Sequence, residues 1–107
     1  MTQTGPTPTI VHGIVVEEHV QFSLQHLSRV CSTETVRVIE LVHEGVLRPS
    51  GNGPDDWQFD GLSLRRARKA LRLSHDLELT AASTALVLSL LDEIDDLRAQ
   101  LQRGRTG

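Results

Sequence analysis

Apolar residues recur at helical spacing in two short segments of the first half of the chain. In the first segment Leu24, Leu27 and Val30 lie three residues apart, and Ser23 before them is of a type that caps helices. The second segment repeats the spacing with Val36, Ile39 and Val42, beside Val38 and Leu41. Two short helices joined by a tight turn predict a helix-turn-helix.

The residues that border the second helical segment are turn formers. Ser32 or Thr33 can cap the start of the second helix. Gly45 is expected to end it, because glycine tolerates the left-handed conformation at a helix end. Beyond it the chain is extended, since the residue before Pro49 disfavours the helical region.

Two segments have the composition of strands. Residues 10–16 are mostly β-branched, and Trp57 and Phe59 alternate with polar residues in the period of a half-buried strand. We expect the strand at 57–60 to pair with residues 10–16 or with residues 46–48. This pairing would form the small sheet of a wing.

Two further helices are predicted in the second half of the chain. The first opens at Leu62 and runs through Leu73, and residues 75–79 link it to a last helix that Thr80 or Ser83 can cap. The residues of the first expected to face inward are Leu64, Ala67 and Leu71.

The last helix carries an apolar seam in heptad spacing. Its apolar steps alternate between three and four residues, through Val87, Leu90, Ile94, Leu97 and Leu101. Only about two heptads are present, which is too short a repeat to predict a coiled coil by itself. A homodimer contact and packing on the chain's own helical core both remain open.

Together these elements predict a mostly α-helical fold: a winged helix-turn-helix with a small β wing and a long C-terminal helix. A chain of 107 residues fits one domain. We expect that domain to span residues 10–101, between a disordered N-terminal tail at 1–9 and a flexible C-terminal tail at 102–107.

The charge distribution opposes a DNA-reading role for the helix-turn-helix. The net charge is −3, and residues 1–60 hold three basic groups against eight acidic ones. The second helix offers Arg37 against three glutamates, and no Asn or Gln that reads adenine. Basic residues cluster instead in the following helix. Two interpretations of this cluster remain open: contact with DNA phosphates, or a solvated helix face paired with residues 92–96. The candidate DNA contacts are Arg37, Arg65, Arg66 and Lys69.

Several classes of function are excluded by what the sequence lacks. The five histidines and the single cysteine show no metal-ligand spacing, and no nucleophile–base set or phosphate loop is present. We therefore expect no enzymatic activity, no metal and no cofactor. A lone Cys31 agrees with a reducing compartment. Without an 18-residue apolar run or a secretory signal, the expected location is the cytoplasm, away from membranes.

About 80 residues of the chain resemble the CbpM-type chaperone modulators, which are divergent relatives of the MerR family. The matching segments are Phe22-Ser23-Leu24, residues 44–49, Trp57-x-Phe59-Asp60, residues 70–79 and residues 85–97. The resemblance implies a MerR-like head with a helical tail. It also implies binding to the J-domain of a DnaJ/CbpA-like co-chaperone, which inhibits the co-chaperone's stimulation of Hsp70.

The resemblance also indicates where such a partner would bind. J-domains engage Hsp70 through a basic helix, so a competing modulator should present acidic groups. By charge sign the candidate partner-binding residues are Glu40, Glu44, Asp55 and Asp56. The alternative is a MerR-like DNA-binding transcriptional regulator, although the Arg-rich start of the second helix usual in DNA-reading members is missing.

Overall fold

The computed structural model of the chain describes residues 8–11, 14–17 and 20–106. Two short strands precede four helices. They are β1 (Pro8–Val11), β2 (Ile14–Glu17), α1 (Leu24–Val30), α2 (Thr35–His43), α3 (Gly61–Leu77) and α4 (Ala81–Thr106). The mostly α-helical class is confirmed. None of the helices in the described part of the chain combines the length and apolarity needed to cross a lipid bilayer.

The turn between α1 and α2 differs from the prediction in its capping. Ser23 caps α1 as expected, since its hydroxyl accepts from the His26 amide at 3.1 Å. Ser32 and Thr33 do not cap α2, whose N-cap residue is Glu34 without a side-chain hydrogen bond. Their amides instead close the end of α1, on the carbonyls of residues 29 and 28 (3.0 and 2.9 Å), with Ser32 in the left-handed region at φ +54°.

The end of α2 is also closed by backbone amides that donate to the last carbonyls of the helix, and we call this turn the α2 closure. Here the predicted glycine provides the residue in the left-handed conformation. Gly45 has φ +79°, and its amide donates to the Val42 carbonyl at 3.0 Å. The Val46 amide donates to the Leu41 carbonyl at 2.9 Å, which completes a Schellman motif, and the Val46 side chain is buried. Gly45 therefore turns the chain so that the following segment enters the core.

The buried face of α2 is centred on Val38 and Leu41 rather than on the predicted repeat. Val36 is 51% exposed, while Ile39 and Val42 are only partly buried. The reason is that α2 packs against both α1 and α4. The residues flanking Val38 and Leu41 therefore lie at the edges of the contact.

The predicted β wing is not confirmed. β1 and β2 pair with each other in antiparallel register, so the strand expected over residues 10–16 is divided into two. The segment 57–60 forms two isolated antiparallel bridges, Phe22 with Phe59 and Ser50 with Gln58, and among the described residues its partners are not those of the 10–16 or 46–48 segments. The tight turn at 51–56 explains this, because the backbone reverses there and few residues remain in register.

α3 is longer than predicted and α4 begins as predicted. Asp60 caps α3 through a 2.8 Å bond from the Ser63 amide, and the helix continues past Leu73 to Leu77. Thr80 caps α4, accepting from the Ser83 amide at 3.1 Å. α4 runs past residue 101 to Thr106, and the division into one domain and two tails stays a prediction.

A single apolar core joins the helices to the 46–59 segment. α3 contributes Ala70 to this core, whereas the predicted Leu71 is only partly buried. Trp57 and Phe59 meet edge to face with ring centroids 6.1 Å apart. The buried apolar residues are Phe22, Leu24, Leu27, Val38, Leu41, Val46, Leu47, Trp57, Phe59, Leu64, Ala67, Ala70 and Leu88.

Two glycines allow the closure of α2 to be tested. A Cβ at Gly45 or at Gly53 would meet no atom within 4 Å, but only Gly45 has a positive φ. We expect Gly45→Ala to lower the free energy of unfolding by about 1–2 kcal/mol, because L-residues are strained in the left-handed region. Urea denaturation measures the effect, and Gly53→Ala is the control. Equal stability of both variants would contradict the assigned strain.

Candidate functional site

Two of the predicted partner-binding residues lie together on α2. Glu40 and Glu44 are both exposed, and the Glu44 amide donates to the Glu40 carbonyl at 3.0 Å. The two side chains therefore lie one helical turn apart on one side of the helix. No described residue forms an ion pair with either carboxylate. This end of α2 thus presents uncompensated negative charge to solvent.

The other two predicted residues occupy the turn before Trp57. Asp55 and Asp56 are exposed, and the Asp56 amide donates to the Gly53 carbonyl at 2.9 Å. The Asp56 carboxylate also accepts from the Asn52 amide at 3.3 Å, so it helps to hold the turn. A side chain at Gly51 would contact the Asp56 carbonyl, which requires glycine there. Among the described residues, no hydrogen bond or ion pair joins this acidic turn to α2.

Three of the four candidate DNA-contacting residues lie on α3 and the fourth lies on α2, and one of them has a structural role. The Arg66 guanidinium donates to the Val46 carbonyl through Nε and to Asp92 Oδ2 through Nη2, both at 3.0 Å. Arg66 thereby links α3 to the end of the α2 closure and to α4. Arg37 and Arg65 are exposed on different helices, and Lys69 is partly buried.

A second charged feature was missed by the sequence reasoning. The α1–α2 turn and the C-terminal half of α3 enclose an open cleft of about 780 Å³, which we call the basic cleft. It is lined by Val30, Cys31, Ser32, Thr33, Arg37, Arg68, Leu71, Arg72, Ser74, His75, Glu78 and Leu79. The spacing of Arg68, Arg72 and His75, four and then three residues apart, places them along one helical face. That spacing was the signal available in the sequence.

Arg68 and Cys31 meet on the inner side of the basic cleft. The Arg68 Nη2 donates to the Val30 carbonyl at 3.4 Å, while its Nε is buried without a hydrogen-bond partner. Burial raises the pKa of the Cys31 thiol above its usual value, and the positive charge of Arg68 opposes that shift. Cys31 is therefore a protonated thiol at neutral pH.

The apolar seam of α4 is not covered by the core of its own chain. Leu90, Ile94, Leu97 and Leu101 are 42–63% exposed, and Val87 is partly buried. The core contacts of α4 come from its first turns, through the fully buried Thr84 and Leu88. Within the described chain the seam therefore faces solvent.

None of the described His, Cys, Asp and Glu residues form a group of three that could hold a metal ion. His12 and His19 lie outside the described residues.

The structural role of Arg66 can be tested by comparing its substitution with that of Arg65, the preceding residue of α3. We expect Arg66→Ala to lower the free energy of unfolding by about 1 kcal/mol, because both guanidinium bonds are lost and the ion pair is partly exposed. Arg65→Ala, at an exposed position, should change it by less than about 0.5 kcal/mol. Urea denaturation of both variants measures the difference. A similar, small effect of both would contradict the structural role of Arg66.

Comparison with known proteins gives consistent matches. The MerR HTH family regulatory protein model matches residues 22–105. A chaperone modulatory protein CbpM of Coxiella burnetii (strain Dugway 5J108-111) is 32% identical over 96 residues, which cover 90% of this chain and 91% of the relative. Proteins of the same name from Pseudomonas putida strains GB-1 and W619 are 37% and 36% identical over 81 residues, covering 76% of this chain and 80% of each relative.

Proposed function

Because this chain belongs to the CbpM family of chaperone modulatory proteins, within the MerR-like helix-turn-helix proteins, we propose that it binds the J-domain of a DnaJ/CbpA-like co-chaperone. Binding would inhibit the co-chaperone's stimulation of Hsp70. The names of the relatives support a chaperone-modulating role, and such modulators are not enzymes.

The acidic end of α2 is the observation that carries this proposal. Glu40 and Glu44 are exposed, one turn apart and without a described counter-ion, on the helix that DNA-reading relatives of this fold place in the major groove. Phosphates repel such a surface, whereas the basic helix of a J-domain complements it. Complementary charge mainly raises the association rate and selects the partner.

Asp55 and Asp56 extend the proposed surface beyond α2. Both follow the α2 closure in sequence and are exposed. Asp55 makes no hydrogen bond to another described residue, whereas the Asp56 carboxylate supports its own turn. Asp55 is therefore the better position for a charge reversal, because its substitution leaves the hydrogen bond between the Asn52 amide and the Asp56 carboxylate intact.

Calorimetric titration with the whole DnaJ/CbpA-like co-chaperone of the same organism tests the proposal. We expect micromolar or tighter binding, and at least tenfold weaker binding for Glu44→Lys and for Asp55→Lys, because each places a positive charge against a basic partner. Asp96→Lys, an equal charge change on the exposed side of α4 away from the seam, is the matched control. A co-chaperone lacking its J-domain should not bind.

Two results would contradict the proposal. One is the absence of heat at two temperatures, which excludes an enthalpy that happens to be zero at one of them. The other is equal weakening by Asp96→Lys, which would indicate a general charge effect rather than a defined surface.

The alternative function is a MerR-like DNA-binding transcriptional regulator. Its support is the match to the MerR HTH regulatory family, with Arg37, Arg65 and Lys69 as the basic side chains left to contact phosphates. Arg66 already donates to Val46 and Asp92. Binding to duplex DNA with an affinity that falls steeply as salt rises would favour this alternative.

The occupant that we propose for the α4 seam is a second copy of the chain. The seam repeats in heptad spacing, four of its five residues are exposed, and an identical seam is a complementary apolar surface. The proposed homodimer therefore forms through Val87, Leu90, Ile94, Leu97 and Leu101.

Sedimentation of seam variants tests the homodimer. We expect the unmodified chain to sediment as a dimer at tens of micromolar, and Leu97→Glu to weaken dimerisation at least tenfold, because a carboxylate would be buried in an apolar seam. Ala99→Glu adds the same charge on the outward side of the helix and should leave the dimer intact. A monomeric unmodified chain would contradict the proposal.

A further inference from the structure

We propose that the basic cleft binds a small organic anion, whose carboxylate or phosphate head is held by Arg37 and Arg72. Both side chains line the cleft and are exposed to an incoming ligand, one from α2 and the other from α3. The guanidinium fork matches the planar geometry of carboxylates and phosphates, and paired contacts of this kind are strong hydrogen bonds. The proposal does not rest on the co-chaperone partner.

The charges around the basic cleft are not balanced within the described chain. Arg37, Arg68, Arg72 and His75 line it, and Glu78 is the only acidic residue that does so. No described carboxylate lies within ion-pair distance of the three arginines. Arg66 on the same helix, in contrast, pairs with Asp92 at 3.0 Å. The fold thus satisfies one arginine of α3 and leaves those facing the cleft without a counter-ion.

Arg68 adds a partly buried positive charge to the cleft. Its Nε is buried without a hydrogen-bond partner, and its contact with the Val30 carbonyl is long, at 3.4 Å. A partly buried cation without an anionic partner is costly, and buried unsatisfied polar atoms are uncommon in folded proteins. Because Nε is buried, Arg68 would act on a ligand through its charge, while Arg37 and Arg72 supply the direct contacts.

Besides its charged residues, the cleft is lined by the polar residues Ser32, Thr33 and Ser74 and by three apolar residues that can contact the carbon frame of a ligand. Val30, Leu71 and Leu79 line it with apolar surface. Its volume of about 780 Å³ lies within the range of small-molecule sites, roughly 300–1,000 Å³. The Glu78 carboxylate opposes a second negative charge, which favours a ligand with a single anionic head.

Titration of the full chain with two probes tests the site, using inorganic phosphate and octanoate at constant ionic strength. Backbone amide chemical shifts of the cleft residues provide the readout. We expect saturable shifts that converge on the cleft, with affinity reduced at least tenfold in Arg37→Gln and in Arg72→Gln. Arg48→Gln, at an exposed position outside the cleft, removes the same charge and should stay within twofold of the unmodified chain.

The two probes separate the sources of the anion. Saturation by octanoate at lower concentration than phosphate assigns the site to organic carboxylates, and the reverse assigns it to phosphate-bearing ligands. The proposal is overturned if neither probe saturates, or if Arg48→Gln weakens binding as much as Arg72→Gln. Thermal unfolding of each variant separates lost binding from lost folding, and we expect folding to be unchanged because the Arg37 and Arg72 side chains are exposed and make no hydrogen bond to a described residue.

Discussion

Two backbone hydrogen bonds between Phe22 and Phe59 determine how the two halves of this protein are joined. They measure 2.7 and 2.8 Å, and both aromatic side chains lie in the core. One partner directly precedes the cap of α1, and the other directly precedes Asp60, the cap of α3. The orientation of α3 across the helix-turn-helix is therefore established at this bridge. The α3 wall of the basic cleft and the contact of Arg66 with the α2 closure follow from that orientation.

The fold exposes acidic residues near the end of α2 and basic residues along the C-terminal half of α3. α2 carries exposed Glu40 and Glu44, while α3 turns Arg68 and Arg72 toward the α1–α2 turn. In a DNA-reading helix-turn-helix the second helix must be compatible with phosphates, and here the exposed Glu40 and Glu44 oppose such contact. Under our proposal the negative charge of α2 instead complements a basic protein surface.

Local signals in the sequence predicted the parts of the fold that depend on local chemistry. Ser23, Gly45 and Thr80 act at helix ends within a few residues of themselves, and all three were identified. Ser32 and Thr33 were assigned to the wrong helix because a turn residue can close one helix as readily as it caps the next.

Features that depend on contacts between distant segments could not be predicted in the same way. The partners of residues 57–60 depend on how tightly the preceding turn reverses, which composition does not specify. The basic cleft forms because α3 crosses the α1–α2 turn. The sequence indicates that Arg68, Arg72 and His75 share a helical face, but it does not indicate which segment lies opposite that face. The four candidate acidic residues could be selected from the sequence because charge and expected exposure were enough to identify them. Whether one partner contacts all four depends on the complex, which the sequence of a single chain does not specify.

The length of α4 has a mechanical consequence. Thr84 and Leu88 anchor its first turns, and the segment from residue 92 to 106 continues over roughly 22 Å at 1.5 Å per residue. A helix behaves as a stiff spacer, so its far end has a defined position relative to the head. Two heads joined through such spacers would have a set separation, and a bivalent partner whose sites match it would bind with avidity rather than with the affinity of one head alone.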